Sequence, residues 1–186
     1  MKTAAWLTYL AMTMTDTADK MIFDFRAPTK ASPWRIVNDD VMGGRSSSQF
    51  QLLAAGGAVF SGVVSLENRG GFASARSAPV RENLEGTDSF VLRVRGDGRE
   101  YQFTVQTGAG FNGPTYQLAF TPRRGEWGEY QLAFEDFVPT FRGRVLANLP
   151  PLTAEKIVSV GVLIGDQRAG PFQLEISWVK AVPPSA

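Results

Sequence analysis

The sequence predicts an all-β protein, an antiparallel β-sandwich with little helix. Short runs of alternating apolar and polar residues recur along the chain from Ile22 onward, and glycine, proline, asparagine or aspartate separates each run from the next. Strict alternation puts every second side chain on one face, as in a strand that covers a core on one side and meets water on the other.

The clearest strand comprises residues 172–178, in which Phe172, Leu174, Ile176 and Trp178 alternate with other residues. We expect Phe172 and Trp178 to pack in the core, because both are in phase with Leu174 and Ile176. Shortly before it in the chain, residues 157–164 are apolar on both faces, which indicates a central strand.

Residues 90–95 and 101–106 alternate on either side of a short turn that contains Gly96 and Gly98. Glycine supplies the positive φ that a tight hairpin needs, so the pattern predicts that these two strands pair with each other. The remaining predicted strands share the same short texture and comprise residues 47–53, 58–66, 72–77, 115–120 and 130–134.

About nine to eleven strands of this length would form a two-sheet sandwich of jelly-roll type, with an open immunoglobulin-like sandwich as the alternative topology. Helix is scarce in this prediction. Residues 150–156 can hold one turn capped by Thr153, and residues 81–86 can hold another.

The chain of 186 residues fits one domain, which we place at residues 21–182 with a short tail at residues 183–186. Residues 1–20 stand apart as an extension, with Lys2 before a short apolar run. We expect a short helix on the domain, or a start-site or cloning extension, in preference to a weak secretory signal. The run is too short to span a bilayer, so no transmembrane segment is expected.

The composition excludes several kinds of site. The chain contains no cysteine and no histidine, so thiolate nucleophiles, Ser-His-Asp triads and the commonest transition-metal ligand are missing. We therefore expect a protein that is not an enzyme and that carries neither a cofactor nor a metal. With a net charge of +1 and scattered arginines, nucleic acid is not an expected partner. The expected location is cytoplasmic, peripheral to a membrane, with secretion left open.

Two polar stretches, residues 37–46 and 67–76, each contain a glycine pair that lets the backbone approach another segment or a ligand closely. The candidate binding residues are Asn38, Asp39, Asp40, Asn68, Arg69, Arg76 and, in a loop-like stretch, Trp127. Carboxylates and amides bind sugar hydroxyls, and a guanidinium group binds carboxylates or main-chain oxygens. The alternative is structural: Asp39 or Asp40 pairs with Arg76 and caps the amides of the two turns.

Several separated motifs occur in one order: WRIVNDDVMGGRSSS, FSGVVSLENRGGFASAR, FRGR and VGVLIGDQRAGPFQLEISWV. They resemble the domain of the complex I intermediate-associated protein 30 family, and the resemblance extends from about residue 23 to residue 179. It implies a galactose-binding-like jelly roll, similar to certain carbohydrate-binding modules. It also implies a role in assembling NADH:ubiquinone oxidoreductase, with an assembly intermediate of that membrane complex as the protein partner.

Three functions follow from these observations. A protein-binding assembly or scaffold factor is the leading hypothesis, and a carbohydrate-binding module of jelly-roll type, with a glycan as ligand, is the alternative. A hydrolase that uses a carboxylate pair such as Asp40 and Glu67 is a distant third, because adjacent acids such as Asp39 and Asp40 point to opposite faces of a strand.

Overall fold

The computed structural model describes residues 18–26, 34–108 and 113–184. Within these ranges the chain forms thirteen β-strands and four 3-10 helices of a single turn, so the prediction of an all-β protein is confirmed. The strands are β1 (Lys20–Asp24), β2 (Arg35–Asn38), β3 (Ser47–Leu52), β4 (Ala58–Val64), β5 (Ala73–Arg76), β6 (Ser89–Arg95), β7 (Tyr101–Gln106), β8 (Thr115–Phe120), β9 (Trp127–Ala133), β10 (Val138–Phe141), β11 (Arg144–Val145), β12 (Ser159–Ile164) and β13 (Gly170–Val182). The 3-10 helices are Asp39–Met42, Glu67–Arg69, Phe134–Asp136 and Ala154–Lys156.

The strands form two antiparallel sheets that face each other across one core. The six-stranded sheet has the order β3-β4-β13-β6-β9, and β1 joins it alongside β13. The seven-stranded sheet has the order β11-β10-β8-β7-β12-β5-β2. Because the chain repeatedly crosses from one sheet to the other, neighbours in sequence are often not neighbours in a sheet. This is the jelly-roll arrangement that the sequence predicted.

The core consists of side chains that alternate inward along the strands of both sheets. Leu92 and Leu174 from the six-stranded sheet and Phe103 and Val162 from the seven-stranded sheet are fully buried. Each such side chain stabilises the fold by roughly 1.5–3 kcal/mol relative to an exposed one. The outward-facing residues of the same strands are therefore left to form the two outer surfaces.

An aromatic stack closes the sandwich between the edge strands β2 and β3. Trp34, next to the start of β2, lies parallel to Phe50 of β3 with ring centroids 4.3 Å apart. Phe23 and Phe25 pack edge-on or tilted against the same rings. The contact fixes the distance between the two strands that flank the first polar stretch, so that stretch connects two elements that are already held together.

The predicted hairpin between residues 90–95 and 101–106 is wrong. Both segments are strands, but β6 lies between β13 and β9 in one sheet, whereas β7 lies between β8 and β12 in the other. The glycine-containing turn between them therefore carries the chain across the sandwich.

A buried ion pair links the crossing between β6 and β7 to the crossing between β12 and β13. Arg99 donates two hydrogen bonds to Asp166, at 2.6 and 3.0 Å, and donates others to the carbonyl oxygens of Gly170, Pro171 and Arg168. Asp166 follows β12 and Gly170 begins β13, so one guanidinium group joins the β6–β7 and β12–β13 crossings.

A β-bulge moves Trp178 out of the core position that its phase predicted. The pairing of β13 with β6 shifts between Ile176 and Trp178, and Trp178 then lies opposite Arg93, on the outer face. Trp178 is nevertheless buried, and the Lys180 ammonium lies 4.8 Å from the centre of its ring. Phe172, before the bulge, is in the core as predicted.

Most of the other predicted strands lie where the sequence placed them, and residues 115–120 match β8 at both ends. Strands β1, β2, β10 and β11 were not predicted, because they are short and lack clear alternation. The turn predicted within residues 150–156 is present as the 3-10 helix Ala154–Lys156, although Thr153 forms no side-chain cap, whereas residues 81–86 form turns and bends without helix.

The predicted extension and tail lie largely outside the described residues, which leave out residues 1–17 and 185–186. Lys20, assigned to the extension, instead begins β1 and pairs with Ala181 of β13. No helix in the described part of the chain has the length and apolar character needed to cross a membrane.

We expect the substitution Arg99→Met to lower the free energy of unfolding by about 3–5 kcal/mol, because it leaves the Asp166 carboxylate buried without its counter-charge. Arg123→Met is the matched control, since Arg123 is highly exposed and lies 3.8 Å from Glu126. An exposed pair of this kind contributes at most about 1 kcal/mol. Urea unfolding followed by tryptophan fluorescence measures both effects. Equal losses for the two variants would contradict the stabilising role of the buried pair.

Candidate functional site

The two polar stretches that the sequence singled out lie side by side at one end of the sandwich. Residues 38–46 lead from β2 to β3, and residues 65–72 lead from β4 to β5. Asn38 pairs with Ala73 in one sheet, and Ser47 pairs with Val63 in the other. Each loop therefore begins beside the residues at which the other loop ends. We call these two segments the paired loops.

The carboxylate of Asp39 joins the paired loops. It is fully buried and accepts four hydrogen bonds. Ser46 donates from its main-chain nitrogen at 2.9 Å and from its hydroxyl at 2.5 Å. The main-chain nitrogens of Gly71 and Phe72, in the second loop, donate at 2.6 and 3.2 Å. The Asp39 side chain, in the first loop, therefore accepts hydrogen bonds from donors in both loops.

This arrangement keeps Asp39 ionised without a cationic partner. Burial by itself raises the pKa of Asp39, but the hydrogen bonds from Ser46, Gly71 and Phe72 together outweigh burial and hold that pKa below its ordinary value. Asp39 therefore caps the turn amides, as the structural alternative predicted, but its hydrogen bonds come from Ser46, Gly71 and Phe72 and not from Arg76. Main-chain N–H groups, rather than a guanidinium, stabilise the buried charge.

The glycine pairs make room for this carboxylate. A Cβ atom at Gly44 would lie 2.4 Å from Cγ of Asp39, and one at Gly70 would lie 2.6 Å from its Oδ2. The other member of each pair has a left-handed backbone, with φ of +88° at Gly43 and +135° at Gly71. Each pair thus combines one glycine needed for space with one needed for conformation. The glycine pairs predicted that the backbone approaches another group closely, and that group is the Asp39 carboxylate.

Two further hydrogen bonds tighten the paired loops. Asn38 accepts a hydrogen bond from the hydroxyl of Ser48 at 2.7 Å. Asn68 donates to the carbonyl oxygen of Gly43 at 3.1 Å, from one loop to the other. Both Asn68 and Arg69 have positive φ, at 54° and 62°, so the second loop turns sharply at its tip. Asn38 and Asn68 therefore serve the backbone and other side chains of the loops.

The outer surface of the paired loops has an apolar part and a charged part. Met42 is 61% exposed and Leu66 is 47% exposed. Arg45 and Glu67 form an exposed ion pair at 2.9 Å beside them, and Asp40 is exposed. The sequence interpretation missed Met42 and Leu66. The available signal was that each is an apolar residue directly next to polar or glycine loop residues.

The structure separates Arg76 from the paired loops. Arg76 ends β5, three residues beyond Ala73, which places it about 10 Å along the strand. It lies opposite Arg35 of β2, on the outer face of the seven-stranded sheet. Arg76 therefore belongs to a different surface from Asn38, Asp39 and Asn68.

Trp127 lies on the six-stranded sheet, far from the other candidates. It is the first residue of the edge strand β9 and not part of a loop, and it is partly exposed. The guanidinium groups of Arg95 and Arg93 lie 5.1 and 6.0 Å from the centre of its ring. Trp127 also lines a shallow groove of about 300 Å³ with Tyr130 and Glu126. In the described ranges, no three acidic side chains come together in a way that would hold a metal ion.

Because the folded-state pKa of Asp39 lies below its unfolded-state value of about 3.9, its stabilisation is complete above that value. It is lost as the pH falls through the lower, folded-state pKa. We expect Asp39→Asn to cost about 2–4 kcal/mol at pH 7 and to remove this part of the acid dependence. Urea unfolding at several pH values between 7 and 3 tests the prediction, with the exposed neighbour variant Asp40→Asn as control. Parallel pH curves for wild type and Asp39→Asn would contradict it.

We expect Gly44→Ala and Gly70→Ala each to lower the melting temperature, because the added methyl group displaces the Asp39 carboxylate at a cost of about 1–3 kcal/mol. Gly113→Ala is the control, since a Cβ atom there has no neighbour within 4 Å. Thermal unfolding monitored by circular dichroism compares the three variants. Melting temperatures that do not separate the first two from the third would show that the loops adapt without loss.

Solved structures with the same fold include carbohydrate-binding modules. The family 11 module of the cellulase Lic26A-Cel5E of Clostridium thermocellum is 14% identical, with a TM-score of 0.64 over 90% of this chain and 96% of that one. The same family of module in complex with a mixed-linked tetrasaccharide is 13% identical, with a TM-score of 0.61 over 89% of this chain and 95% of that one. At this level of identity the comparison establishes the fold alone.

Sequence relatives carry the name complex I intermediate-associated protein 30, mitochondrial. The protein from Drosophila melanogaster is 27% identical over 86% of this chain and 61% of its own length. The protein from Mus musculus is also 27% identical, over 86% of this chain and 55% of its own length. The chain thus spans little more than half the length of these relatives. The family model described as complex I intermediate-associated protein 30 matches residues 23–176, and the chain belongs to this family.

Proposed function

We propose that this domain is a non-catalytic binding module that holds an intermediate in the assembly of a membrane-bound respiratory complex, with the paired loops as its contact surface. The observation that carries the proposal is the buried Asp39 carboxylate, which fixes two loops whose exposed side chains include Met42 and Leu66.

This surface has the composition of a protein interface. Apolar side chains at the centre of an interface supply most of the affinity, and a polar rim excludes water and gives specificity. Met42 and Leu66 provide apolar area, while Arg45 and Glu67 provide charges beside it. Because hydrogen bonds already order both loops, little conformational entropy is lost when a partner binds.

The family supports a protein partner. The relatives are named for their association with intermediates of complex I, and this chain matches them along most of its length. Since it spans only part of theirs, the role itself is carried over here as a proposal. Binding to a membrane complex would place the domain at a membrane surface.

The geometry of the acids favours binding over hydrolysis at the paired loops. The Asp39 carboxylate already accepts four hydrogen bonds and is closed to solvent. Glu67, the acid suggested as a partner for Asp40, pairs with Arg45 instead. A glycosidase needs one acid to donate a proton and a second to act as a base or nucleophile on the same bond.

A glycan is the second candidate ligand, and Trp127 is the residue that favours it. An exposed indole ring beside a groove is a common platform for a sugar ring. In the described part of the chain, however, Trp127 is the single exposed aromatic residue, and arginine side chains lie against its ring. The paired loops therefore remain the better supported surface.

We expect the double variant Met42→Asp and Leu66→Asp to lose its partner, because two charges then replace the apolar centre of the surface. The immobilised domain is incubated with detergent-solubilised membranes of the native cell, and bound proteins are quantified by mass spectrometry. Subunits of NADH:ubiquinone oxidoreductase should be enriched on the wild type and fall by about tenfold or more on the double variant.

The control is Leu52→Asp, which changes an equally exposed leucine at the opposite end of the β3–β4 hairpin. It should retain the wild-type recovery. The proposal is wrong if no subunit of a membrane-bound complex is enriched on the wild type, or if the double variant and the control recover the same amounts.

A further inference from the structure

Strand β9 is an edge of the six-stranded sheet. Among the described strands, five pair with a neighbour on one side: β1, β3 and β9 in this sheet, and β2 and β11 in the other. Such an edge presents main-chain N–H and C=O groups to which another chain can add a strand. Trp34 stacks on Phe50 between β2 and β3, β1 contains a bulge, and β11 has two residues. Strand β9 has seven residues and pairs with β6 without a bulge, so it is the longest unprotected edge in the described part of the chain.

The register shows which main-chain groups of β9 face the open side. Phe134, directly after β9, donates a main-chain hydrogen bond at 2.7 Å to Asp88, directly before β6. In an antiparallel ladder, the N–H and C=O groups of one residue point to the same side, and the side alternates along the strand. Tyr130 therefore directs its main-chain groups to β6, whereas Glu129 and Gln131 direct theirs to the open side. No other described strand pairs with β9 there.

We propose that the open side of β9 binds an extended polypeptide segment of another protein, which adds a strand to the six-stranded sheet and places a lysine or arginine beside Glu129. This contact surface is separate from the paired loops, so the inference goes beyond the proposed function.

The groove described above lies at this edge and offers room for an added segment. Four consecutive residues of β9, residues 127–130, line it, together with Arg123 and Glu126 of the preceding loop. A groove lined by consecutive residues of an edge strand brings a bound chain against the main chain of that strand. Main-chain hydrogen bonds then supply affinity, and the side chains on either side of the strand supply specificity.

Tyr130 supplies an apolar wall on the inner side of the edge, where it packs against the core. A Cβ atom at Gly128 would lie 2.9 Å from Cε2 of Tyr130, so the missing side chain lets the tyrosine ring lie along the strand. The main-chain nitrogen of Arg123 donates to the Tyr130 hydroxyl at 2.9 Å and fixes the ring. Side chains of an added strand that point to the inner side would contact this ring, and we expect them to be apolar.

The charges at the edge favour a basic segment. Glu126 and Glu129 are both exposed, and the Arg123 guanidinium lies 3.8 Å from Glu126, which is too far for a hydrogen bond. Arg93 of β6 donates to Oε1 of Glu129 at 3.2 Å from one side. A cation on an added strand would lie on the other side of the same carboxylate, and opposite charges on neighbouring strands stabilise their pairing.

The expected segment alternates in polarity and matches β9 in length, at about seven residues. Its residue beside Glu129 points to the outer face and is basic, whereas the residues before and after it point toward Tyr130 and are apolar. A second copy of β9 does not supply this pattern, because the strand WGEYQLA contains no basic residue. The segment therefore comes from a different protein.

A random library of peptides of about ten residues, displayed on phage with the immobilised full chain as bait, tests the proposal. We expect the selected peptides to share a lysine or arginine between two apolar residues. Synthetic peptides labelled with fluorescein then report affinity by anisotropy. Methylating every second main-chain nitrogen gives two versions of a peptide. One version should lose about tenfold or more in affinity, and the other should stay within about threefold, because alternate N–H groups point toward β9.

Two substitutions at Gln131 separate main-chain pairing from side-chain contacts. Gln131→Pro removes an N–H group that points away from β6, a position at which an edge strand accepts proline. It should weaken peptide binding about tenfold or more. Gln131→Ala keeps this N–H group and should bind within about twofold of the wild type. Both variants lose the side-chain hydrogen bond to Ser89, so their difference isolates the main chain.

Glu129→Lys tests the charge independently of the main chain. It should weaken binding of the selected peptides about tenfold, and peptides in which glutamate replaces the basic residue should regain affinity for this variant. Thermal unfolding verifies that Gln131→Pro and Glu129→Lys are folded. The double variant Met42→Asp and Leu66→Asp should bind the peptides like the wild type, so failure at the paired loops and failure at β9 are distinguishable.

The proposal is overturned if the library yields no binder, if the selected peptides lack a basic residue, or if the two methylated versions bind equally well. Wild-type affinity in folded Gln131→Pro and Glu129→Lys would also overturn it. Self-association of the chain in sedimentation velocity that Gln131→Pro abolishes would assign the edge to a second copy instead. Displacement of a bound peptide by a mixed-linked tetrasaccharide would assign the groove to a sugar.

Discussion

The fold depends on how the chain is held where it crosses between the two sheets. At one end of the sandwich, the buried carboxylate of Asp39 joins the β2–β3 and β4–β5 crossings, and the buried guanidinium of Arg99 joins the β6–β7 and β12–β13 crossings. The two clusters are neighbours, since a Cβ atom at Gly165 would lie 3.8 Å from the carbonyl oxygen of Gly71. Two opposite charges, each surrounded by hydrogen-bonding groups, thus stabilise four adjacent crossings.

Alternation in the sequence predicted which residues face the core but not which strands pair. Residues 90–95 and 101–106 were correctly predicted as strands, and their apolar faces are buried. They belong to different sheets, and the crossing between them is held by Arg99 and Asp166, which are 67 residues apart in sequence. The displacement of Trp178 depends on a bulge, and neither a distant contact nor a single extra residue in a strand alters the local pattern of polarity.

The candidate site could be predicted only in part, because the local pattern of polarity does not reveal contacts between distant residues. The glycine pairs indicated a close approach, and the structure shows that Gly44 and Gly70 face the Asp39 carboxylate. Asp39 and Asp40 are indistinguishable as neighbours in a sequence, yet one is fully buried and the other is exposed. Arg76 and Trp127 were grouped with them by residue type, and the strand order separates all three locations.

The buried position of Asp39 also bears on how this surface can change over evolutionary time. The hydrogen bonds that order the paired loops come from main-chain groups and from Ser46, beneath the surface, and not from Met42 or Leu66. Substitutions at Met42 and Leu66 therefore leave these hydrogen bonds intact. Paralogues with this framework can diverge in the protein they recognise while keeping the same backbone, much as antibodies vary their loops on a constant scaffold.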